Sequence, residues 1–259
     1  MSLKANRKRF TGPPHPDRDL QFRYIQEQKE RFLRRSLPVI SVDIKKKELI
    51  GDFKNPGRIW NKEPIEVNAH DFPRDALCKA APYGVYDVGR NHGFIHVGIS
   101  SETPQFAVDS IRQWWLAHGR KHYGDGHDLL VLADAGGSNG YRLRHFKKML
   151  QERIADAFEL KVTVCHFPSG ASKWNPIEHR LFGPMSCHWS GIPLRSLELL
   201  LRLVRTTVTQ GGLKVCARLT HTTYRTGIRV SDAEMKMLDL QRHTVCPQWN
   251  YTINPRHHA

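Results

Sequence analysis

The sequence has no long apolar run, and this absence limits where the protein can reside. No stretch approaches the roughly 18 apolar residues that a membrane-spanning helix needs, and the first residues lack the apolar core of a signal peptide. We therefore expect a soluble, intracellular protein without a membrane partner.

Cysteine is scarce and unpatterned. The five cysteines are an odd set, and no pair has the C-x-x-C spacing. The sequence thus predicts neither a disulfide framework nor a zinc knuckle, but reduced and mostly buried thiols. The fifteen histidines are scattered, with His92, His118 and His122 near turns or loops, and we expect them not to bind metal. The motif G-x-x-x-x-G-K-[ST] is also missing, which excludes a nucleotide-binding P-loop.

Positive charge is what the sequence has in excess. Lys and Arg number 40 against 25 Asp and Glu, so the formal net charge is +15. Such a balance favours a polyanionic partner, and nucleic acid is the first candidate once a membrane is set aside. Residues 1–35 alone carry ten Lys and Arg, and we interpret residues 1–37 as a basic linker followed by a helix from Asp17.

The order of strand and helix patterns predicts an α/β fold, with a mixed sheet covered by helices over residues 38–189. The first two strands resemble a hairpin, residues 54–82 form an irregular insertion with four prolines, and residues 190–259 form a small C-terminal α/β extension. The predicted elements are strands at Pro38–Ile44, Glu48–Phe53, Tyr83–Val88, Gly93–Ile99, Asp128–Asp134 and Leu160–Phe167, with helices beginning near Thr103, Gly140, Asn175 and Ser196.

Three acidic residues stand at the ends of these elements. Asp43 is late in the first strand, Asp134 ends a continuous apolar strand, and Glu178 lies in the first turn of a helix. Singly, each residue is more typical of a turn or a helix cap. Together they could converge, because sites in open α/β sheets form at the carboxyl ends of neighbouring parallel strands. Clustered carboxylates repel one another unless a cation shares them, and oxygen ligands suit Mg²⁺ or Mn²⁺. Two such ions would support phosphodiester chemistry.

The same residues carry a family resemblance. Three blocks resemble an ISAzo-type insertion-sequence transposase, a relative of the mariner-like DDE transposases: Val39–Phe53 (VISVDIKKKELIGDF), Leu129–Gly140 (LLVLADAGGSNG) and Val164–Phe182 (VCHFPSGASKWNPIEHRLF). The likeness extends from about Ser2 to Arg256.

The resemblance implies a ribonuclease H-like fold and a bacterial enzyme that nicks DNA and transfers strands. It implies that Asp43, Asp134 and Glu178 are catalytic and hold two divalent cations, Mg²⁺ or Mn²⁺. Transposon ends and target DNA would be the partners of a dimer or larger assembly in the cytoplasm, at the nucleoid. Family members carry N-terminal helix-turn-helix modules, whereas this chain begins in the linker before the core, so a truncated transposase is expected.

Polar residues around the acidic triad are candidate DNA contacts. Lysines and His179 could bind phosphates, and Trp174 and Asn175 could stack on or hydrogen-bond to a base; the alternative is a charged rim around a buried tryptophan. The predicted DNA-binding residues are Lys45, Lys46, Asn139, Lys173, Trp174, Asn175 and His179.

Two alternatives remain open. A basic remnant that binds DNA without cutting it has the same composition. A serine hydrolase could use the Gly136-Gly-Ser138-Asn-Gly140 match to G-x-S-x-G, with Asp156 and His166 or His179 as partners. The strand signal ends at Asp134, four residues before Ser138, whereas an elbow serine follows its strand directly.

Overall fold

A nine-stranded mixed β-sheet organises the protein, and the computed structural model describes it over residues 15–124 and 126–256. The first part of the predicted basic arm, residues 1–14, lies outside the described residues. The strands are β1 (Val39–Ile44), β2 (Glu48–Ile50), β3 (Cys78–Asp87), β4 (His92–Gly98), β5 (Asp128–Ala133), β6 (Lys161–His166), β7 (Lys214–Thr220), β8 (Leu240–Arg242) and β9 (Asn250–Ile253).

The centre of the sheet has the ribonuclease H-like arrangement that the sequence predicts. Strands run in the order β4-β3-β1-β5-β6, with β1 antiparallel to β3 and parallel to β5. Strand β5 is parallel to β6 as well. Residues 129–133 of β5 are fully buried, because helices cover both faces of the sheet, and this explains the continuous apolar run.

Helices pack on the two faces of the sheet. On one face, Phe106 and Ile111 of α2 (Pro104–Trp114) and Phe146 of α4 (Arg144–Leu150) pack against alternate residues of the strands. On the other face lie α1 (Arg18–Arg34) and the helices that follow β6 and precede β7. The helices are α1 (Arg18–Arg34), α2 (Pro104–Trp114), α3 (Arg120–Tyr123), α4 (Arg144–Leu150), α5 (Asp156–Phe158), α6 (Gly183–His188), α7 (Leu197–Arg205) and α8 (Asp232–Lys236), with single π-helical turns at Trp115–Gly119, Gln151–Ala155 and Glu178–Phe182.

Two predictions about the first strands were wrong. Strand β2 does not form a hairpin with β1 but pairs antiparallel with the start of β3, at Glu48 opposite Ala80. The irregular insertion therefore ends at residue 77, not at 82. Pro82 is tolerated inside β3 because it lies just beyond the last β1 pair, and its carbonyl accepts a hydrogen bond from the Lys45 N–H at 2.9 Å.

Strands from residues 190–259, the predicted C-terminal extension, complete both edges of the sheet. Strand β7 is parallel to β4, and β9 is antiparallel to β6. The fully buried amides of Gln21 in α1 and Asn250 in β9 donate to each other's oxygens at 2.8 and 2.6 Å. This pair joins the first helix to the last strand. The domain boundaries at residues 37 and 189 stay a prediction.

Two further expectations concern the membrane and the thiols. Among the described helices, none has both the length and the apolar character required to cross a bilayer. All five cysteines are free; Cys165 and Cys246 are buried, Cys78 and Cys216 are half-buried and Cys187 is exposed.

Candidate active site

Asp43 and Asp134 lie side by side at the edge of the central sheet that the carboxyl ends of β1 and β5 form. In the parallel pair of β1 and β5, Val42 is opposite Ala133. Asp43 directly follows Val42, and Asp134 directly follows Ala133. The site therefore forms where two parallel strands end, in the position that open α/β sheets use for binding.

Glu178 comes to the same edge from the helix that follows β6. This helix begins at Pro176, which is suited to the first turn because its missing N–H has no helical partner there. Glu178 opens the π-helical turn, and its carboxyl group is close enough to that of Asp43 for each to shift the pKa of the other. The three predicted acidic residues thus meet.

A buried polar network fixes the start of this helix. Ser41 in β1 donates a hydrogen bond to the Asn175 Oδ1, and its own oxygen accepts from the Ile177 N–H at 3.0 Å. Asn175 Nδ2 in turn donates to the Asp134 Oδ1 at 2.9 Å. Two of the three acidic residues are therefore positioned by one asparagine, since Asn175 orients Asp134 and lies three residues before Glu178.

The electrostatics are those of a buried cluster of like charges, in which the pKa of each carboxyl group is raised. Burial raises the pKa of Asp43 to about 8, and the neighbouring Asp134 and Glu178 carboxylates add to this rise. Burial is also the largest cause of the raised pKa of Asp134 and of Glu178. Asp43 is consequently neutral near pH 7 in the chain alone, and a cation would favour its ionised form.

An open cleft of about 490 Å³ adjoins the aspartates. Asp43 and Asp134 form part of its lining, together with Tyr141, Arg142 and residues 168–170. The glycines of the loop after Asp134 leave free space at this edge, because a Cβ at Gly136 would meet no atom within 4 Å. An extended backbone could therefore approach the carboxylates.

Four of the predicted DNA-binding residues are exposed beside this edge: Lys46, Lys173, Trp174 and His179. Trp174 is 57% exposed, and its ring has an edge contact with Phe22 at 6.0 Å between centroids. It is therefore not the buried tryptophan of the alternative interpretation. His179 Nε2 is hydrogen-bonded to the Lys173 carbonyl oxygen, which holds these two residues together.

The structure places the other three predicted contacts differently. Asn139 and Asn175 are fully buried, so their side chains are not available to DNA; Asn175 acts inside the site instead. Lys45 is mostly buried, is paired with Glu48, and lies 4.9 Å above the Trp189 ring. Its charge nevertheless reaches Glu178, whose pKa it lowers.

Sequence reasoning missed two positioning residues. Ser41 and Asp43 are the two polar residues of the otherwise apolar strand β1, and the polar interruption at Ser41 was the available signal. His166, at the end of β6, is fully buried, with its Nδ1 3.0 Å from the Asp134 carbonyl oxygen and its Nε2 3.2 Å from the Tyr251 hydroxyl. Its positioning role could not be predicted from the sequence, because its partner Tyr251 belongs to β9, 85 residues further along the chain.

The hydrolase interpretation of Ser138 is not supported by the geometry. Ser138 is buried and donates to Asn139 at 3.3 Å. Both ring nitrogens of His166 are engaged elsewhere, and Asp156 pairs with Arg256 at 2.6 Å. His179 contacts Lys173, so each nominal partner has other contacts.

Comparison with solved structures finds transposase complexes at low sequence identity. The Mos1 strand transfer complex is 14% identical with a TM-score of 0.49, covering 77% of this chain and 57% of that one. The Mos1 mariner paired-end complex with Mn is 14% identical with a TM-score of 0.47, covering 77% and 62%. The Mos1 paired-end complex with the left transposon end is 13% identical with a TM-score of 0.45, covering 76% and 56%. The chain thus spans less than two thirds of these structures.

The comparison by sequence is more direct. No curated protein matches the chain. The family described as the Rhodopirellula transposase DDE domain, in contrast, matches residues 1–255. Because this match covers nearly the whole sequence, the chain belongs to the Rhodopirellula transposase DDE domain family.

Proposed function

We propose that this chain is the catalytic core of a DNA transposase that nicks DNA and joins strands with two divalent cations at Asp43, Asp134 and Glu178. The observation that carries the proposal is that three carboxylates lie close together beside an open cleft. Two of them are adjacent at the ends of parallel strands, and the chain has a net charge of +15. The family provides the reaction class.

The donor set fits hard divalent cations. Three carboxylates supply oxygen ligands only. Burial raises the pKa of all three in the chain alone, and repulsion from neighbouring carboxylates adds to the rise for Asp43 and Glu178. Asp43, Asp134 and Glu178 would hold Mg²⁺ or Mn²⁺, and the bound ions would supply Lewis-acid activation of the attacking oxygen and stabilisation of the leaving oxygen.

The remaining residues keep this donor set in place. Asn175 holds the Asp134 carboxylate, and Ser41 fixes both Asn175 and the first turn of the helix that carries Glu178. The Ile44 N–H donates to the Asp43 Oδ1 at 2.8 Å and fixes the third carboxylate. Ligands that are oriented by packing and by further hydrogen bonds need little rearrangement when an ion binds.

The exposed basic residues give DNA a path to the cleft. Lys46, Lys173 and His179 would contact phosphates, Trp174 would stack on an unpaired base, and Arg142 in the lining of the cleft would bind the strand beside the reacting phosphate. The proposal includes transposon ends and target DNA as partners, an assembly of at least two copies, and a location at the bacterial nucleoid.

The test separates cutting from joining. Wild-type protein with Mg²⁺ or Mn²⁺ is given supercoiled plasmid to measure nicking, and pre-cut element ends with a free 3′-hydroxyl to measure strand transfer. We expect both products with either ion, and neither product when a chelator removes the divalent cations. Asp43→Asn and Asp134→Asn should each reduce both rates by at least about a hundredfold, since each removes a metal ligand.

Asp128→Asn is the matched control. Asp128 begins the same strand that Asp134 follows, so the substitution makes the same chemical change at the opposite edge of the sheet. Full activity in this control and loss in the other two variants would support the proposal. Equal activity in all four proteins would reject the assigned site, and DNA binding without nicking in any of them would favour the non-catalytic remnant.

A further inference from the structure

A second group of potential metal ligands lies away from the acidic triad. His92 begins β4, Cys216 lies in the neighbouring strand β7, and His118 lies in the π-helical turn after α2. In the parallel pair of β4 and β7, Cys216 is opposite Phe94, two residues after His92 and on the same face. The sequence predicts no metal-binding histidines, but the fold brings these three residues together.

Their ligand atoms are close enough to share one ion. One nitrogen of each histidine and the Cys216 Sγ all lie within 4.8 Å of one another, and the described residues contain no other such group of three. The His92 Nε2 lies 3.7 Å from the Cys216 Sγ. A tetrahedral zinc site with ordinary Zn–N and Zn–S bonds separates nitrogen from sulfur by about 3.6 Å. The acidic triad does not form so tight a group.

The surroundings leave part of this group without a partner. Within the part of the chain that the structure describes, the buried His92 Nδ1 has no hydrogen-bond partner, although buried polar atoms are usually paired. Burial lowers the pKa of His92 to about 4 and also lowers the pKa of His118, which favours the neutral form of both rings. Neutral imidazole is the form that binds metal.

We propose that His92, His118 and Cys216 bind a single Zn²⁺ or similar soft divalent cation. The thiolate and two imidazoles suit zinc rather than Mg²⁺. His122 lies one helical turn after His118 and contributes to the lowered pKa of both His92 and His118. Arg90, Lys214 and Arg218 also lower the pKa of these histidines, and a metal-bound Cys216 thiolate would offset part of the repulsion between these positive charges and the ion.

The site would tie three separate parts of the fold together. Cys216 belongs to the edge strand β7, which the C-terminal extension contributes, whereas His92 and His118 belong to the central part. A bound ion would hold this edge strand to the sheet and to the turn after α2. The π-helical turn itself is the kind of helix irregularity often found at functional sites.

Cobalt titration of the full chain tests the site, because Co²⁺ reports sulfur ligation by absorption. We expect a sulfur-to-cobalt charge-transfer band and intense tetrahedral ligand-field bands that saturate near one equivalent, and that Zn²⁺ abolishes. Cys216→Ser should remove the charge-transfer band. His118→Asn should weaken Zn²⁺ binding by more than about tenfold, beyond the loss usual for groups that only support a ligand.

Two controls separate this site from the rest of the chain. Cys187→Ser changes an exposed cysteine outside the cluster and should leave the band unchanged. Asp43→Asn combined with Asp134→Asn removes the carboxylate site and should leave it unchanged as well. No band in the wild-type protein, or a band that persists in Cys216→Ser, would overturn the proposal. The contact between Cys216 and His92 would then be only a hydrogen bond between a thiol and an imidazole. Circular dichroism of each variant verifies folding.

Discussion

At the scale of single residues, the side chain of Asp43 controls how the candidate site responds to pH. Its pKa is raised from 3.8 to about 8, so between these values the folded chain binds a proton that the unfolded chain does not. Stability without metal should therefore fall as the pH rises through this window.

We expect Asp43→Asn to remove this loss. In chelator, urea unfolding at about pH 5 and about pH 9 should show the wild-type protein losing at least about 1.4 kcal/mol relative to the variant, the equivalent of one pKa unit. Excess Mg²⁺ should reverse the difference, because it binds the ionised form. Parallel pH profiles of the two proteins in chelator would contradict the raised pKa.

Asn175 is the second residue whose role can be tested alone. Asn175→Ala would leave the Asp134 carboxylate and the Ser41 hydroxyl without their buried partner, at a cost of about 1–3 kcal/mol in unfolding free energy. We also expect more Mg²⁺ to be needed for half-maximal nicking. Asn61→Ala, in the exposed insertion, is the control. An unchanged Mg²⁺ requirement in a folded Asn175→Ala protein would show that Asn175 does not position the site.

At the scale of elements, the helix that carries Glu178 depends on its close approach to β3. Gly84 is opposite Asp43 in the sheet, and a Cβ there would lie 2.7 Å from both Ile177 and Phe182. We expect Gly84→Ala to push the helix outward, lowering stability by about 1–3 kcal/mol and reducing nicking more than tenfold.

The matched control for this substitution is Gly211→Ala. A Cβ at Gly211 would meet only the Thr209 side chain, at 3.8 Å. Thermal unfolding and plasmid nicking of both variants should separate crowding at β3 from any general effect of alanine. Wild-type behaviour of Gly84→Ala would mean that the helix and β3 have room to separate.

Elements were predictable where the pattern was local. Strand β5 is a continuous apolar run and α2 begins at an N-cap, where the Thr103 Oγ1 accepts from the Phe106 N–H at 3.2 Å. The partner of β2 was not predictable, because a three-residue strand carries no signal for its neighbour. Likewise, the convergence of Asp43 and Asp134 was predictable, because both residues lie at the ends of predicted strands. The burial of Asn139 was not, because it depends on packing between distant segments.

At the scale of the whole molecule, the net charge of +15 should govern binding to DNA. The logarithm of the binding constant should fall linearly with the logarithm of salt concentration, by about 0.9 for each phosphate neutralised on duplex DNA. Lys46→Ala combined with Lys173→Ala should reduce this slope by about 2. Fluorescence anisotropy with a labelled duplex over a salt series gives the slope.

Lys121→Ala combined with Arg120→Ala provides the comparison for this prediction. Both residues are exposed in α3, which precedes the start of β5 and so lies toward the opposite edge of the sheet from Asp134. This variant loses the same charge but should keep the wild-type slope. Equal slopes for the two double variants would mean that DNA does not follow the predicted path.

The reciprocal amide pair between Gln21 and Asn250 has a consequence for biosynthesis. Because the ribosome makes the chain from its N-terminus, Gln21 must wait for more than two hundred further residues before Asn250 emerges. The open edge of β6, which ends at His166, waits for about eighty residues before β9 emerges. During that interval the nascent chain exposes unpaired strand edges, which are prone to aggregate. The candidate active site, in which the Asp134 carbonyl oxygen contacts His166 and His166 contacts Tyr251, would accordingly be completed only after translation has passed β9.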